Sequence, residues 1–246
     1  MNYLLRVAAL SILTMNAFAA PTEAPFSVPD EKTLPTGYEG DAIKLGKALV
    51  MNTKKMLPKN VGNGLNCTNC HLNGGTTASA GPFVGVWGVF PEYRARGNSI
   101  NSLQERINDC FQRSMNGKAL AYESKEMNAM LMYMQWLSTG VPVGSDVVGR
   151  GMGKVDVALK PNAANGKVIY TEKCASCHGA KGAGIKNGEG GYTFPPLWGN
   201  ASFNIGAGMA RTYTAAAFVK HNMPLAQGNT LSDQEAIDVA QYVTHQ

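Results

Sequence analysis

Apolar residues recur at helical spacing in four segments of the chain, and the four segments form two similar pairs. The first pair is "DAIKLGKALVMNT", which starts at Asp41, and "SKEMNAMLMYMQWLSTG", which starts at Ser124. The second pair is "NAANGKVIYTEKC", which starts at Asn162, and "SDQEAIDVAQYVTHQ", which starts at Ser232. In each pair the first segment contains a Gly-Lys step and the second follows a serine that can cap a helix. The pattern predicts two helices in each half of an internally repeated chain.

The sequence between the helices also repeats, although the halves differ in length. "GPFVGVWG" at residues 81–88 resembles "YTFPPLWG" at residues 192–199. The first half has 21 residues between Gly46 and Cys67, whereas the second has 8 between Gly166 and Cys174, an insertion of 13. We therefore predict a first domain over residues 41–140 and a second over residues 161–246.

The segments outside these two domains are rich in glycine and proline. Residues 141–160 have the Gly/Val/Pro-rich composition of a linker, and residues 20–40 contain four prolines, which indicates an irregular extension.

The first residues have the composition of a secretory signal peptide. Arg6 precedes an apolar run that ends near Met15, and small residues follow at Ala17 and Ala19. We predict a signal peptide over residues 1–19, cleaved after Ala19, and export to the periplasm. Because the run is too short for a bilayer and no later run of some 18 apolar residues occurs, no membrane span is predicted.

Composition and charge exclude few classes of function. The chain is 44% hydrophobic and 16% charged, with 28 glycines, as in a globular, loop-rich protein. Its formal net charge is +5, and removal of Arg6 with the signal peptide leaves +4. No basic run interleaved with aromatic residues occurs, so a nucleic-acid partner is not expected.

Four of the five cysteines lie in two C-x-x-C-H motifs, which are the attachment pattern of c-type haem. The motifs are Cys67-Thr68-Asn69-Cys70-His71 and Cys174-Ala175-Ser176-Cys177-His178. In such a motif the two sulfurs bond covalently to the porphyrin and the histidine binds the iron. A redox C-x-x-C or a disulfide would not explain why histidine follows in both copies. The order of helix, motif, Gly-rich loop and helix resembles the class I cytochrome c fold, which implies an all-α chain of two fused class I cytochrome c-like domains, each with one haem c.

The second domain contains a candidate for the other axial iron ligand. Met223 precedes Pro224 and lies 45 residues beyond His178. A thioether is a weak donor that raises the haem potential. A core methionine, or ligation by the neighbouring His221, remains an alternative.

In the first domain the corresponding position holds the fifth cysteine, Cys110. Trp198 precedes Met223 by 25 residues, and the same count from Trp87 ends near position 112, whereas Cys110 lies 23 residues from Trp87. We interpret Cys110 as the distal ligand of the first haem, where a thiolate lowers the potential. The alternatives are a buried free cysteine and a cysteine that links two chains. The methionines Met127, Met130, Met132 and Met134 fit core packing.

The residues around Cys110 predict an anion-binding pocket. A helix from Ser102 to Asn116 would align Arg106, Cys110 and Ser114 on one face, because they are four residues apart. The segment "PEYRARGNS" adds Arg94 and Arg96 from a predicted loop. Guanidinium and hydroxyl groups bind tetrahedral oxyanions, although arginines on a helix are also commonly only solvated.

These segments, with residues 192–243, resemble the dihaem thiosulfate dehydrogenases, periplasmic enzymes that join two thiosulfates into tetrathionate. The resemblance implies that Cys67 and Cys70 attach haem one, with His71 and Cys110 axial. It further implies that Cys174 and Cys177 attach haem two, with His178 and Met223 axial, and that Arg96, Arg106 and Ser114 hold the substrate. Some members carry lysine directly before the methionine and exchange the two as ligands, but this chain has Asn222 there, and its nearest preceding lysine is Lys220.

We therefore predict oxidative coupling of two thiosulfates, with electrons passed through two haems to a small cytochrome, in a reaction that can also run towards tetrathionate reduction. Cys110 would form a transient sulfur–sulfur adduct with the substrate. One alternative is a non-enzymatic dihaem carrier of the cytochrome c4 type, which would use methionine on both irons. Another is the haem component of the periplasmic sulfur-oxidising multienzyme system, against which Met223 argues.

Overall fold

The computed structural model describes residues 23–188 and 191–246, so the predicted signal peptide lies outside the described residues. Helices account for most of the regular structure. They are α1 (Tyr38–Met51), α2 (Thr53–Met56), α3 (Leu72–Gly75), α4 (Leu103–Asp109), α5 (Lys125–Leu137), α6 (Ala163–Lys173), α7 (Ala175–His178), α8 (Thr212–Asn222) and α9 (Asp233–Thr244). Short 3-10 helices lie at Glu31–Thr33, Cys67–Asn69, Val86–Gly88 and Gly208–Ala210, and a π-helical turn spans Cys110–Ser114.

The four predicted helices are confirmed as α1, α5, α6 and α9, and both predicted serine caps are present. The Ser124 side chain accepts a hydrogen bond from the Met127 amide at the start of α5. Ser232 and Glu235 form a reciprocal capping box at the start of α9. These caps satisfy amide groups that have no partner within the helix, which fixes where the two helices begin.

The first and last helices of each domain pack closely because a glycine lies at each crossing. A Cβ added to Gly46 of α1 would lie 2.0 Å from the carbonyl oxygen of Ala129 in α5. A Cβ added to Gly166 of α6 would likewise lie 2.0 Å from the carbonyl oxygen of Asp238 in α9. The Gly-Lys step found in both halves of the sequence therefore marks the same backbone contact in each domain.

Each domain has its own apolar core. The first-domain core joins α1, α4 and α5, and its most buried side chains are Leu49, Val50, Phe111, Met127, Met130, Tyr133 and Leu137. Met134 is also buried and Met132 packs against the same core, as predicted for this methionine group. The second-domain core contains Ile169, Tyr170, Leu231 and Val239, packed by Trp198 and Tyr242.

Two short hairpins add strands to a chain that was predicted to be all-helical. β1 (Glu92–Arg94) pairs antiparallel with β2 (Ser99–Asn101), and β3 (Ile185–Lys186) with β4 (Tyr192–Phe194). The first hairpin replaces the loop predicted for "PEYRARGNS". Cross-strand pairing holds Arg94 opposite Ser99, so this arginine has a defined position on an ordered element.

The first part of the segment predicted as a linker is folded against the first domain, and its last part, with Val155 and Leu159, packs against the second. Ala24 of the amino-terminal extension forms a parallel bridge with Val147. The Ala24 amide donates to the Asp146 carbonyl, and the Val148 amide donates to the Ala24 carbonyl. Further along, the amides of Ser79 and Gly81 donate to the carbonyls of Gly149 and Gly151, each at 2.7 Å. Residues 141–160 therefore do more than connect the domains.

The insertion between α1 and the first C-x-x-C-H motif also has a structural role. The amides of Gly62 and Asn63 both donate to the carbonyl of Met115, directly after the π-helical turn. The Asn63 side chain, only 5% exposed, donates to the carbonyls of Ser114 and Ser202, each at 2.8 Å. The insertion thus connects the Cys110 segment to the second domain.

Candidate functional site

The first C-x-x-C-H motif is held against α2 by its own backbone. Cys67 begins a 3-10 helix, and its amide donates to the Thr53 hydroxyl at 3.0 Å. The same hydroxyl lies 3.3 Å from the Cys67 sulfur. Because Thr53 is fully buried, these bonds fix the position from which the motif enters the domain.

The histidines of the two motifs are oriented in the same way. The Nδ1 atom of His71 bonds to the carbonyl of Gly81 at 2.5 Å, and that of His178 bonds to the carbonyl of Pro195 at 2.9 Å. A ring nitrogen that donates to a carbonyl fixes the tautomer and leaves Nε2 as the basic nitrogen. Both histidines therefore present the nitrogen that an iron ion would bind.

A cavity of about 370 Å³ lies beside the first motif, within the range of cofactor pockets. Its walls include Cys67, Cys70 and His71, and Cys110 lines the same space. The apolar lining residues are Val50, Leu65, Pro82, Phe83, Val86, Phe90, Leu103, Ile107, Phe111, Met115, Met130, Met134, Met152 and Met209. Two thiols, an oriented histidine, a further sulfur and apolar walls are the set of groups that a covalently attached haem requires, so the residues present fit this cofactor.

The cysteines of this cavity differ in their acidity. Burial raises the pKa of Cys67 and of Cys70 to about 12. Burial also acts to raise the pKa of Cys110, but the positive charge of Arg106 and the proximity of the His71 ring outweigh it and lower that pKa to about 6. Arg106 donates to the Cys110 sulfur from Nη1 at 2.9 Å. Cys110 is therefore the thiol of this cavity that is favoured as a thiolate.

The helix that carries Cys110 differs from the regular α-helix predicted from Ser102 to Asn116. Ser102 caps α4 in a capping box with Glu105, as expected, but α4 ends at Asp109. A π-helical turn then runs from Cys110 to Ser114, and the Met115 amide donates to the Cys110 carbonyl at 2.9 Å. π-Helical turns are often found at functional sites.

The predicted substrate residues differ in how closely they approach the cavity. Arg106 and Ser114 line it together with Cys110, as the spacing predicted. Arg96 is exposed in the turn of the β1–β2 hairpin and does not line it. Arg96 is nevertheless close enough to affect Arg211. Burial lowers the pKa of Arg211 most, and the positive charges of Arg96, Arg94 and Arg106 lower it further.

Three charged residues at this site were missed in the sequence analysis. Arg150, from the linker, bonds to Glu92 of β1 at 3.1 Å, and Glu92 also accepts from Arg94 at 2.9 Å. Arg150 and Arg211, the residue before α8, both line the cavity. The sequence marks Arg150 only as a charged residue between two glycines in a Gly-rich linker. No short-range pattern marks Arg211.

The second motif is partly buried and forms α7, with Cys174 at the start of the helix. Cys174 packs with Leu197 and Trp198 in the second-domain core, and burial raises its pKa to about 11. Met223 directly follows α8 in an extended conformation and is half-buried.

The two residues discussed for a ligand exchange near Met223 both have other bonds. The buried Asn222 side chain donates to the carbonyls of Ser79 and Phe218, at 2.9 and 3.0 Å. Lys220 donates to the carbonyl of Leu231 and lies 3.5 Å from a carboxylate oxygen of Asp233.

Helices long and apolar enough to cross a bilayer are absent from residues 23–188 and 191–246. All five cysteines lie in this part of the chain, and none forms a disulfide.

Comparison with known families identifies a cytochrome c domain in each half of the chain. Residues 56–143 match the family described as "SoxA/TsdA, cytochrome c domain". Residues 161–243 match the family described as "Cytochrome C oxidase, cbb3-type, subunit III". Cytochrome c domains imply haem c and its iron as the cofactor.

Curated relatives extend the similarity over nearly the whole chain. The thiosulfate dehydrogenase of Psychrobacter arcticus is 51% identical over 94% of this chain and 70% of its own length. That of Allochromatium vinosum is 46% identical over 97% of this chain and 92% of its own length. The solved structure of thiosulfate dehydrogenase (TsdBA) from Marichromatium purpuratum superposes with a TM-score of 0.84 at 38% identity, covering 89% of this chain and 49% of that longer chain.

These findings confirm the resemblance noted in the sequence and do not favour a non-enzymatic carrier, because the relatives share the name of an enzyme. The chain is an oxidoreductase that belongs to the thiosulfate dehydrogenase family.

Proposed function

We propose that this protein couples two thiosulfates into tetrathionate at the cavity that contains Cys110. The observation that carries the proposal is the contact between Cys110 and Arg106 inside a cavity that also contains Cys67, Cys70 and His71. A thiolate beside an arginine and a metal-binding motif combines a nucleophile, an anion-binding group and a redox site. A simple electron carrier requires only the last of these.

The cofactor of each domain would be held by its own motif. In the first domain Cys67 and Cys70 would attach the haem, and His71 and Cys110 would bind its iron. In the second domain the corresponding residues are Cys174, Cys177, His178 and Met223. When bound, haem c supplies one-electron redox chemistry, so two haems accept the two electrons of the coupling singly.

Arg106, Arg96 and Ser114 would bind the sulfonate end of the first thiosulfate. Guanidinium groups form paired hydrogen bonds with tetrahedral oxyanions, and the serine hydroxyl adds a further donor. With its sulfonate held, the substrate presents its terminal sulfur to Cys110. Such positioning accounts for a large part of the barrier reduction in bimolecular reactions.

The chemical steps balance with Cys110 as a covalent nucleophile. The Cys110 thiolate and the terminal sulfur of one thiosulfate form an S–S bond with loss of two electrons, which leaves a cysteine S-thiosulfonate. The second thiosulfate then attacks the sulfur next to Cys110. This attack forms the central bond of tetrathionate, breaks the bond to Cys110 and regenerates the thiolate without a net proton transfer.

The partner would be a small soluble cytochrome or a similar one-electron acceptor, and export would place the reaction in the periplasm. The same steps in reverse reduce tetrathionate when the partner supplies electrons. The potentials of the haems and of the partner set the direction.

The decisive experiment is an assay of the purified haem-loaded protein with thiosulfate and a one-electron acceptor. We expect one tetrathionate for every two electrons transferred. Cys110→Ala and Cys110→Met should both lower turnover at least about 1000-fold, because alanine removes the nucleophile and methionine restores only an iron ligand.

Three results would contradict the proposal. Full turnover by either haem-loaded variant would show that Cys110 is not the nucleophile. Electron transfer without tetrathionate, combined with thioether ligation on both irons, would identify a carrier of the cytochrome c4 type. A requirement for a separate protein that receives the sulfur atoms would identify a component of a multienzyme system instead.

A further inference from the structure

Tetrathionate has a sulfonate group at each end, but the substrate residues assigned above account for one sulfonate. They are Arg96, Arg106 and Ser114, all from the first domain. Coupling requires a second thiosulfate next to the first, although the two dianions repel each other. A second cationic group is therefore needed on the far side of Cys110 to offset this repulsion.

The second domain contributes such a group to the same cavity. Its contributions to the lining are Gly208, Met209, Arg211 and Thr214, and Arg211 is the charged member. The Arg211 side chain passes over Gly208, since a Cβ added to that glycine would lie 3.7 Å from Nη2 of Arg211. Arg211 directly precedes α8, so its backbone is fixed by the start of a helix.

The arginines around the cavity differ in whether a carboxylate forms an ion pair with them. Glu92 forms ion pairs with Arg94 at 2.9 Å and with Arg150 at 3.1 Å. Arg211, Arg96 and Arg106, by contrast, form no ion pair with a carboxylate among residues 23–188 and 191–246.

Arg211 is also close enough to the other arginines for their positive charges to act on it. Burial lowers the pKa of Arg211, and the charges of Arg96, Arg94 and Arg106 lower it further. Among the described residues that line the cavity, Arg94 and Arg150 pair with Glu92, and Arg106 pairs with the Cys110 sulfur, so Arg211 is the lining arginine without an anionic partner. An anion bound at Arg211 would offset its charge.

We propose that Arg211 binds the sulfonate of the second thiosulfate, and hence the distal sulfonate of tetrathionate. This inference rests on the proposed function, because it extends the same site. It makes the catalytic cavity a two-domain site in which the first domain holds the sulfur bonded to Cys110 and the second domain holds the attacking anion. Arg211 would then determine the affinity for two-ended anions more than for one-ended anions.

A carboxylate of the haem is the other source of negative charge that an arginine at this cavity could bind. The test must therefore separate a contact with the substrate from a contact with the cofactor. Reduction potentials and absorption spectra recorded without substrate report on the cofactor. Calorimetric titration of the oxidised haem-loaded protein with tetrathionate and with sulfate reports on anion binding.

The variants are Arg211→Gln, Arg211→Lys and the control Lys167→Gln, which removes one positive charge from an exposed site on α6 of the same domain. We expect Arg211→Gln to weaken tetrathionate binding about tenfold or more, as expected for the loss of one hydrogen bond between charged groups. Sulfate binding should change less than about threefold, and Arg211→Lys should recover part of the tetrathionate affinity. Lys167→Gln should match the wild type.

Two outcomes would overturn the inference while leaving the proposed function intact. In the first, the wild type forms tetrathionate and Arg211→Gln binds it as tightly as Lys167→Gln does. In the second, Arg211→Gln shifts the haem potential or spectrum without substrate and leaves tetrathionate binding unchanged, which assigns Arg211 to the cofactor. A wild-type protein that neither forms nor binds tetrathionate would instead refute the proposed function and this inference with it.

Discussion

At the scale of single residues, the charge of the cavity that contains Cys110 is set by a few side-chain contacts. Cys110 contacts Arg106, and Glu92 forms ion pairs with both Arg94 and Arg150. Glu92 has a clear structural role, because it connects β1 to Arg150 of the linker. It also determines which arginines remain available to anions.

The pairs formed by Glu92 predict a pH-dependent contribution to stability. Burial acts to raise the pKa of Glu92, but Arg94 and Arg150 outweigh it and lower the pKa below its ordinary value of 4.5. A carboxyl group whose pKa is lowered on folding stabilises the fold above its ordinary pKa, and the contribution disappears as the pH falls through the lowered value. We expect Glu92→Gln to be less stable than the wild type at pH 6, with a smaller difference at pH 3.5.

Denaturant unfolding of the haem-loaded proteins at the two pH values measures this difference. Glu123→Gln is the control, because Glu123 is exposed and should give the wild-type dependence. A difference between Glu92→Gln and the wild type that stays constant from pH 6 to pH 3.5 would contradict the assignment.

At the scale of elements, helix packing repeats between the domains while the elements around the cavity do not. The crossings of α1 with α5 and of α6 with α9 both depend on a glycine whose missing side chain allows backbone contact. The β1–β2 hairpin and the π-helical turn that starts at Cys110 both belong to the first domain. The common framework therefore builds a cytochrome c domain, and the additional elements shape the site.

Replacement of either crossing glycine should be strongly destabilising. In Gly46→Ala the new methyl group would lie 2.0 Å from the Ala129 carbonyl oxygen, so α1 and α5 must separate. Overpacking of this kind costs about 1–3 kcal/mol, and a clash with backbone should place the loss of unfolding free energy near the upper end. Gly166→Ala should act similarly in the second domain.

Chemical unfolding monitored at the haem absorbance measures the loss. Gly188→Ala is the control, because a Cβ at Gly188 meets no atom of the described residues within 4 Å. If Gly46→Ala and Gly188→Ala were equally stable, the proposed backbone contact between the helices would be wrong.

At the scale of the whole molecule, the second domain and the linker complete the cavity of the first. The second domain contributes Arg211 to its lining, and the linker contributes Arg150. Hydrogen bonds also cross the domain boundary at the Cys110 segment. The Asn204 side chain donates to the Gln112 carbonyl at 3.1 Å, and Asn63 bridges the carbonyls of Ser114 and Ser202.

The chain offers two asparagines that test this interdomain connection. Asn63 donates to one carbonyl in each domain, whereas Asn60 donates to the Lys118 and Ala119 carbonyls, both in the first domain, at 3.1 Å. Asn63→Ala leaves buried carbonyls without a donor, which costs about 1–3 kcal/mol, and it releases the turn that carries Ser114. We expect turnover with thiosulfate to fall several-fold in Asn63→Ala and to change little in Asn60→Ala.

Steady-state assays of both haem-loaded variants, at a temperature where each is folded, separate the site effect from general destabilisation. Equal losses of turnover in the two variants would indicate that the interdomain bridge does not position the site.

The sequence by itself determined the features that depend on short-range chemistry. The two C-x-x-C-H motifs, the four main helices, their serine caps and the Arg106–Cys110 pair could all be predicted, because each depends on residues close together in the chain. The family could also be predicted, since the relatives share these motifs over nearly the full length. Even so, an i, i+4 spacing could not reveal that the helix changes to a π-helical turn at Cys110.

Only the tertiary structure decided how the distant segments meet. Arg211 lies 101 residues after Cys110 in the sequence, yet both line one cavity. Residues 141–160 were predicted as a simple connection because glycine-rich composition reports local flexibility and not the contacts that the folded chain makes. Periodicity reports the environment of one element, whereas a site built from two domains depends on packing between elements that no local pattern encodes.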